Sequence, residues 1–183
     1  MHKRTEAVVL LAEGFEEIEA ITIIDTLRRA QVETQVAAIG SSLEVHGGHG
    51  ITVKADCLLT GLRGSKLRLV VLPGGGTGVK NIAASAEAKH FTATATEVAA
   101  ICAAPSALAQ WDMLRGKTAT SYPGFEDKLQ AAGAKLSPER VVVDGNLTTS
   151  RGPGTALEFS LQLVENLRGS EARIKLAAQM LVG

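Results

Sequence analysis

The sequence is poor in several things, and each shortage narrows what it can be. It has two cysteines, Cys57 and Cys102, in 183 residues, too few for a disulfide framework. Aromatic residues make up only 3%, so a core must be built from Val, Ile, Leu and Ala. Net charge is absent, with 19 basic against 19 acidic residues, and like charges form no runs. Bulk attraction to nucleic acid or to an anionic membrane is therefore not expected. No apolar run is long enough to span a bilayer. The basic start MHKR leads into a short apolar stretch ending at Glu13, which reads as a first strand and not a signal peptide. Asn146-Leu147-Thr148 matches a glycosylation sequon, but in a protein read as cytoplasmic it is taken as chance.

What the sequence does have is 45% hydrophobic residues in short aliphatic runs that alternate with helical stretches. Strands are expected at residues 7–11, 34–39, 67–72, 98–101 and 117–121, with a Gly-His hairpin near residues 46–53. Helices are expected at residues 15–29, 86–96, 105–111, 125–132, 153–168 and 171–181. Asp144-Gly145 marks a second hairpin, joining residues 141–143 to 147–149. Alternation of this kind predicts a mostly parallel sheet covered on both faces. With no internal repeat or linker, residues 1–183 read as one α/β domain.

Three segments carry chemistry. Residues 98–108 read VAAICAAPSAL: an aliphatic strand ends at Cys102, and small residues follow at once, as a sharp strand-to-helix turn around a nucleophile requires. Pro105 suits a first helical turn, and a sulfur at that helix end would be favoured as thiolate. Taken alone, a cysteine on an alanine-rich strand end also reads as an inert core residue. Cys57 has no such turn and reads as structural, or as lying near a subunit interface. The second segment, LPGGGTG at residues 72–78, offers backbone N–H groups to an anion. It lacks the third glycine of a dinucleotide fingerprint and the Gly-Lys-Ser/Thr of a P-loop. In the third, Glu19 has Phe15 and Ile23 as helical neighbours, and a carboxyl in such surroundings tends to stay protonated. A solvated helix carboxylate is the alternative. His2, His46, His49 and His90 show no metal-ligand spacing with either cysteine, and no metal is expected.

Four pieces taken together resemble the ThiJ/PfpI superfamily, in its DJ-one branch: AEGFEEIE at 12–19, VVLPGG at 70–75, AICAAP at 100–105 and TSRGPGT at 149–155. They stand in the family's order across almost the whole chain. The resemblance implies a flavodoxin-like three-layer sandwich, a homodimer and no cofactor. It implies that Cys102 is the reactive cysteine, that Glu19 hydrogen-bonds its sulfur, and that the N–H groups of Gly75 and Ala103 form an anion pocket. It further implies action on small dicarbonyls such as methylglyoxal or glyoxal, or on their adducts. Oxidative-stress sensing or chaperoning through Cys102, and more weakly a PfpI-type peptidase, are the alternatives. One position departs from the pattern. Many members carry a His-Pro pair near the cysteine, where this sequence has Tyr122-Pro123, so a Cys–His pair is not visible. Tyr122 could orient a substrate or simply pack, and His49 loosely matches an arginine that some members place near the pocket.

Overall fold

The computed structural model describes residues 5–182. The elements run in the order β1 (Ala7–Leu11), α1 (Glu17–Arg29), β2 (Thr34–Ala38), β3 (Glu44–His46), β4 (Thr52–Lys54), β5 (Cys57–Leu58), β6 (Leu69–Leu72), α2 (Gly76–Ala84) and α3 (Ala86–Thr94). They continue with β7 (Glu97–Ile101), α4 (Pro105–Gln110), β8 (Thr118–Ala119), α5 (Glu126–Ala131), β9 (Lys135–Leu136), β10 (Val141–Asp144), β11 (Leu147–Ser150), α6 (Ala156–Arg168) and α7 (Ser170–Gln179).

Seven strands form the central sheet in the order β10-β11-β7-β6-β1-β2-β5. Only the β10–β11 edge pair is antiparallel; the other pairings are parallel. Period-two alternation sends neighbouring residues to opposite faces. Val8 and Leu10 therefore enter one core with α2, α3, α4 and α5, while Ala7, Val9 and Leu11 enter the other with α1, α6 and α7. All five β1 residues are buried, which is why this strand reads as an unbroken aliphatic run. The result is a flavodoxin-like three-layer sandwich.

Helix α1 shows how local sequence sets an element next to the future site. The Glu16 carboxylate accepts the Glu19 N–H at 2.7 Å and caps the helix, and Arg28 and Arg29 sit in its last turn, where they complement the dipole. Ala20, Ile23, Ile24 and Leu27 are buried against the sheet, each large side chain contributing about 1.5–3 kcal/mol. Gln31, at φ 56°, closes the helix in the left-handed region.

The fold departs from the sequence expectation in one instructive place. The glycine cluster after β6 is not a free loop: its last glycines start α2. Helical glycine is unfavourable, but a β-carbon at Gly78 would press on Gly14 and Phe15 of the β1 loop. The Gly78 N–H donates to the Gly14 carbonyl at 3.1 Å. Close approach of two backbones outweighs helix propensity here. Among the described residues, no helix is long and apolar enough to cross a membrane.

Candidate active site

The strand order reverses direction at β1. From it the chain goes outward to β2 and β5, then returns to β6 and β7 on the other side. In open α/β sheets a crevice forms outside the carboxyl ends of the strands at such a reversal. Three connections meet there: the β1 loop leading into Glu19, the β6 loop with Gly74 and Gly75, and the β7 turn with Cys102.

Cys102 has φ 65°, a conformation that costs a non-glycine residue about 1–2 kcal/mol. The neighbours hold it there. Its N–H donates to the Ser150 carbonyl and its own carbonyl accepts from the Tyr122 N–H, both at 2.9 Å. The turn of VAAICAAPSAL is thus a strained strand-to-helix turn, wedged between β11 and the segment following β8. The backbone N–H groups of Ala103 and Gly75 both donate toward the Cys102 sulfur. These are the two N–H groups that the sequence resemblance singled out.

Glu19 has 0% exposure. Its Oε2 accepts the Gly74 N–H at 2.7 Å, and its Oε1 has no hydrogen-bond partner among the described residues. Gly74 was missed by sequence reasoning, and only the tertiary contact reveals its role. A β-carbon there would overlap both the Glu19 carboxylate and the Cys102 side chain, so glycine lets acid and thiol approach each other. Gly75, at φ 99°, turns its N–H toward the sulfur, and a β-carbon on it would strike the Gly14 carbonyl.

The electrostatics correct one expectation. The helix end does not produce a thiolate: burial first, and then the facing Glu19 carboxylate, push Cys102 up to about 12 against the lowering by two amides. Helix α4 spans only six residues, too little dipole to offset a neighbouring anion. Burial likewise raises Glu19 to about 7, against the opposing hydrogen bonds from Gly74 and Cys102. Near neutrality the pair is a protonated thiol beside a carboxyl poised between its two forms. Glu19 is buried and its pKa is raised, the direction expected from its apolar neighbours, while the thiol is held toward its neutral form.

The other candidate residues lie further out. Tyr122 is 47% exposed, and its ring lies over Gly152, where a β-carbon would come within 3.0 Å of it. His49 stays on the β3–β4 turn, where its Nδ1 pairs with Glu17 Oε2 at 2.8 Å and its N–H donates to Glu17 Oε1 at 2.6 Å. That pairing raises the pKa of His49 and, with the accompanying hydrogen bonds, lowers that of Glu17 despite its burial. His46 faces Glu13 at 3.3 Å, and His2 lies outside the described residues. Glu16, Glu17 and His49 bring potential ligand atoms within 4.8 Å of one another, a grouping the sequence spacing could not show. These carboxylates are already engaged, by the Glu19 N–H and by His49.

The geometry has counterparts among known proteins. The sequence pattern of the DJ-1/PfpI family matches residues 5–166. The chain belongs to the DJ-1/PfpI family. It is 40% identical over 184 residues to protein DJ-1 homolog A of Arabidopsis thaliana, covering 97% of this chain and 47% of that protein. It therefore spans about half the length of that relative. The crystal structure of Drosophila melanogaster DJ-1beta superposes with a TM-score of 0.93 at 36% identity, covering 99% of this chain and 100% of that one. Oxidized Toxoplasma gondii DJ-1 gives a TM-score of 0.91 at 37% identity, covering 97% and 98%. Within this DJ-1/PfpI chain, the four matching pieces include the three loops around Cys102, and the fourth supplies Ser150 and Gly152.

Proposed function

We propose that this protein is a cofactor-independent enzyme that converts small α-oxoaldehydes such as methylglyoxal to hydroxy acids, with Cys102 as nucleophile and Glu19 as acid/base. The observation that carries this reading is the placement of a buried carboxyl and two backbone N–H donors around one thiol on a strained turn. As the sulfur adds to the aldehyde carbon, the Glu19 carboxylate takes the thiol proton. The carbonyl oxygen takes that proton from Glu19 and becomes the hydroxyl of a hemithioacetal facing the Gly75 and Ala103 amides, which leaves Glu19 as a carboxylate again. Glu19 then moves a proton from that carbon to the neighbouring carbonyl carbon by way of an enediol. The first carbon is oxidised to a thioester and the second is reduced to an alcohol. Water cleaves the thioester, releasing hydroxy acid and restoring the thiol. The net reaction adds one water, and the redox change stays within the substrate.

Lactate production from methylglyoxal tests this reading. Wild type is expected to turn over and Cys102→Ala to lose activity; equal turnover by the two would sink the mechanism. The same reading takes the chain as a homodimer. Ile18 and Ile21 on α1 and Ile51 beside β4 support this, being 58%, 43% and 57% exposed. Sedimentation equilibrium tests it.

A second reading is a redox sensor, favoured by the unpartnered Glu19 Oε1 and by the oxidized state of the Toxoplasma gondii relative. Two equivalents of peroxide would convert the Cys102 thiol to a sulfinic acid, with two waters formed. Its oxygens would meet protonated Glu19 and the two amides. Mass spectrometry after mild peroxide treatment tests it, and equal oxidation of Cys57 and Cys102 would remove its basis.

A further inference from the structure

Only one of the Glu19 carboxyl oxygens is accounted for. Oε2 is held by the Gly74 N–H, but Oε1 is sealed from solvent and accepts no hydrogen bond among the described residues. A buried carboxylate oxygen that has neither a donor nor water is costly when charged. Whatever seals Oε1 therefore governs how readily Glu19 ionises.

The chain beside that oxygen is stacked in two layers. Gly152 is buried, and a β-carbon built on it would stand 4.0 Å from Glu19 Oε1. The same β-carbon would stand 3.0 and 3.5 Å from Cδ2 and Cε2 of Tyr122, whose side chain is exposed on its other side. The φ of Gly152, 163°, is extended backbone open to any residue. Glycine here answers to space: it lets the aromatic ring come down onto the chain next to the carboxyl.

Both layers are anchored. The Gly152 N–H donates to the Thr155 hydroxyl at 3.1 Å, and its carbonyl accepts the Thr155 N–H at 2.9 Å. The Tyr122 N–H donates to the Cys102 carbonyl at 2.9 Å, and the Tyr122 carbonyl accepts the Phe125 N–H at 3.2 Å. The backbone that carries the ring is thus tied to the turn that carries the thiol.

We propose that Gly152 and the Tyr122 ring form a cover that keeps water from Glu19 Oε1, which makes Tyr122 a positioning residue acting through Glu19. The ring does this by its bulk and not by its hydroxyl. Removing it admits water to Oε1, and hydration favours the charged form. The other groups that act on the Glu19 charge are the Gly74 N–H, Cys102 on the β7 turn and Glu16 ahead of α1. Arg151, next to Gly152, sends its guanidinium to the Pro138 carbonyl at 3.4 Å. Substitution of Tyr122 leaves all of these in place. The cover stands apart from the enzymatic reading, and only the activity readout below rests on that reading.

The test titrates Glu19 directly, by 13C NMR of protein labelled at the glutamate side-chain carboxyl under reducing conditions, with Glu19→Gln identifying its signal. Far-ultraviolet circular dichroism confirms folding. Wild type is expected to titrate near 7. Tyr122→Phe should stay within about 0.3 pH unit of wild type and Tyr122→Ala should fall about one pH unit below it, part of the several units that burial can produce. The rising limb of kcat/KM for methylglyoxal should shift in the same order. A Tyr122→Ala midpoint equal to that of wild type overturns the cover, and so does a Tyr122→Phe midpoint as low as that of Tyr122→Ala. Titration of wild-type Glu19 near the ordinary 4.5 overturns it without recourse to any variant. Full turnover of methylglyoxal by Cys102→Ala would instead overturn the enzymatic reading, and the NMR titration would still decide the cover.

Discussion

The two cysteines of this chain make an internal comparison. Both are partly buried, both follow or lie within strands of one sheet, and in both burial raises the thiol pKa, with a neighbouring carboxylate, Asp56 or Glu19, adding to it. What separates them is the surroundings. Cys57 lies on the edge strand β5, within weak reach of Gln35 Oε1 at 3.9 Å and the Val36 carbonyl at 4.0 Å. Cys102 lies on a left-handed turn with two N–H donors and a buried acid facing its sulfur. A perturbed thiol pKa does not by itself mark a reactive cysteine. A base within reach and donors placed where negative charge will develop do.

The comparison breaks most sharply on substitution. Cys102→Ala is expected to lower methylglyoxal turnover by at least about a thousandfold, the scale of losing a nucleophile, while Cys57→Ala is expected to leave kcat/KM within about twofold, since surface-edge changes rarely reach a distant site. Lactate formation measures both. Comparable losses from the two would erase the distinction.

Glu19→Gln comes next, with an expected loss of about a hundredfold in kcat, the scale of positioned acid/base catalysis. Stability should move the other way. Burial raises the folded carboxyl from 4.5 to about 7, so its contribution is fully present below 4.5 and is lost as pH rises through 7. That loss approaches about 3 kcal/mol in wild type. The glutamine variant escapes it and should unfold at higher denaturant concentration at pH 8, by about 2 kcal/mol after losing some hydrogen bonding. A variant less stable than wild type at that pH would mean that Glu19 is not held against its charge.

The pH profile sharpens the same point. Glu19 must be ionised to take the thiol proton, so kcat/KM is expected to rise with pH through a midpoint near 7. The profile of Glu19→Gln should lose that limb. Peroxide should likewise oxidise Cys102 ahead of Cys57, and faster as pH rises through the same range.

A small effect is also expected at Tyr122. Its ring covers Gly152, and no contact between its hydroxyl and Cys102 is present among the described residues. Tyr122→Phe is expected to change kcat/KM by less than about threefold, within the range of ordinary exposed substitutions. A larger fall would make the hydroxyl a participant in proton transfer.

Much of this site was legible in the sequence because its pieces are local. An aliphatic run that stops at Cys102, small residues after it and a proline three positions past the cysteine describe a turn without any tertiary information. Glu19 was legible as an acid among apolar neighbours one helical turn away. Other features were not. Gly74 looked like one glycine of three, yet its missing β-carbon is what lets the carboxylate and the thiol approach each other. Helix α2 was hidden because its glycines serve backbone packing against the β1 loop, and propensity speaks only of isolated helices. The short strands β5 and β9, with two residues each, carry no periodicity to detect.

The sequence by itself determined the alternation of strand and helix, the mostly parallel sheet, and the elbow at Cys102, all of which follow from hydrophobic period and turn chemistry. Tertiary structure decided the state of the thiol. β1, β6 and β7 are parallel and adjacent, so their carboxyl ends bring Glu19, Gly74 and Cys102 into one crevice. In that buried space desolvation holds both groups toward their neutral forms, and the Glu19 charge pushes the thiol further the same way. The sequence placed a cysteine on a tight turn; the packing around it set that cysteine beside a buried carboxyl.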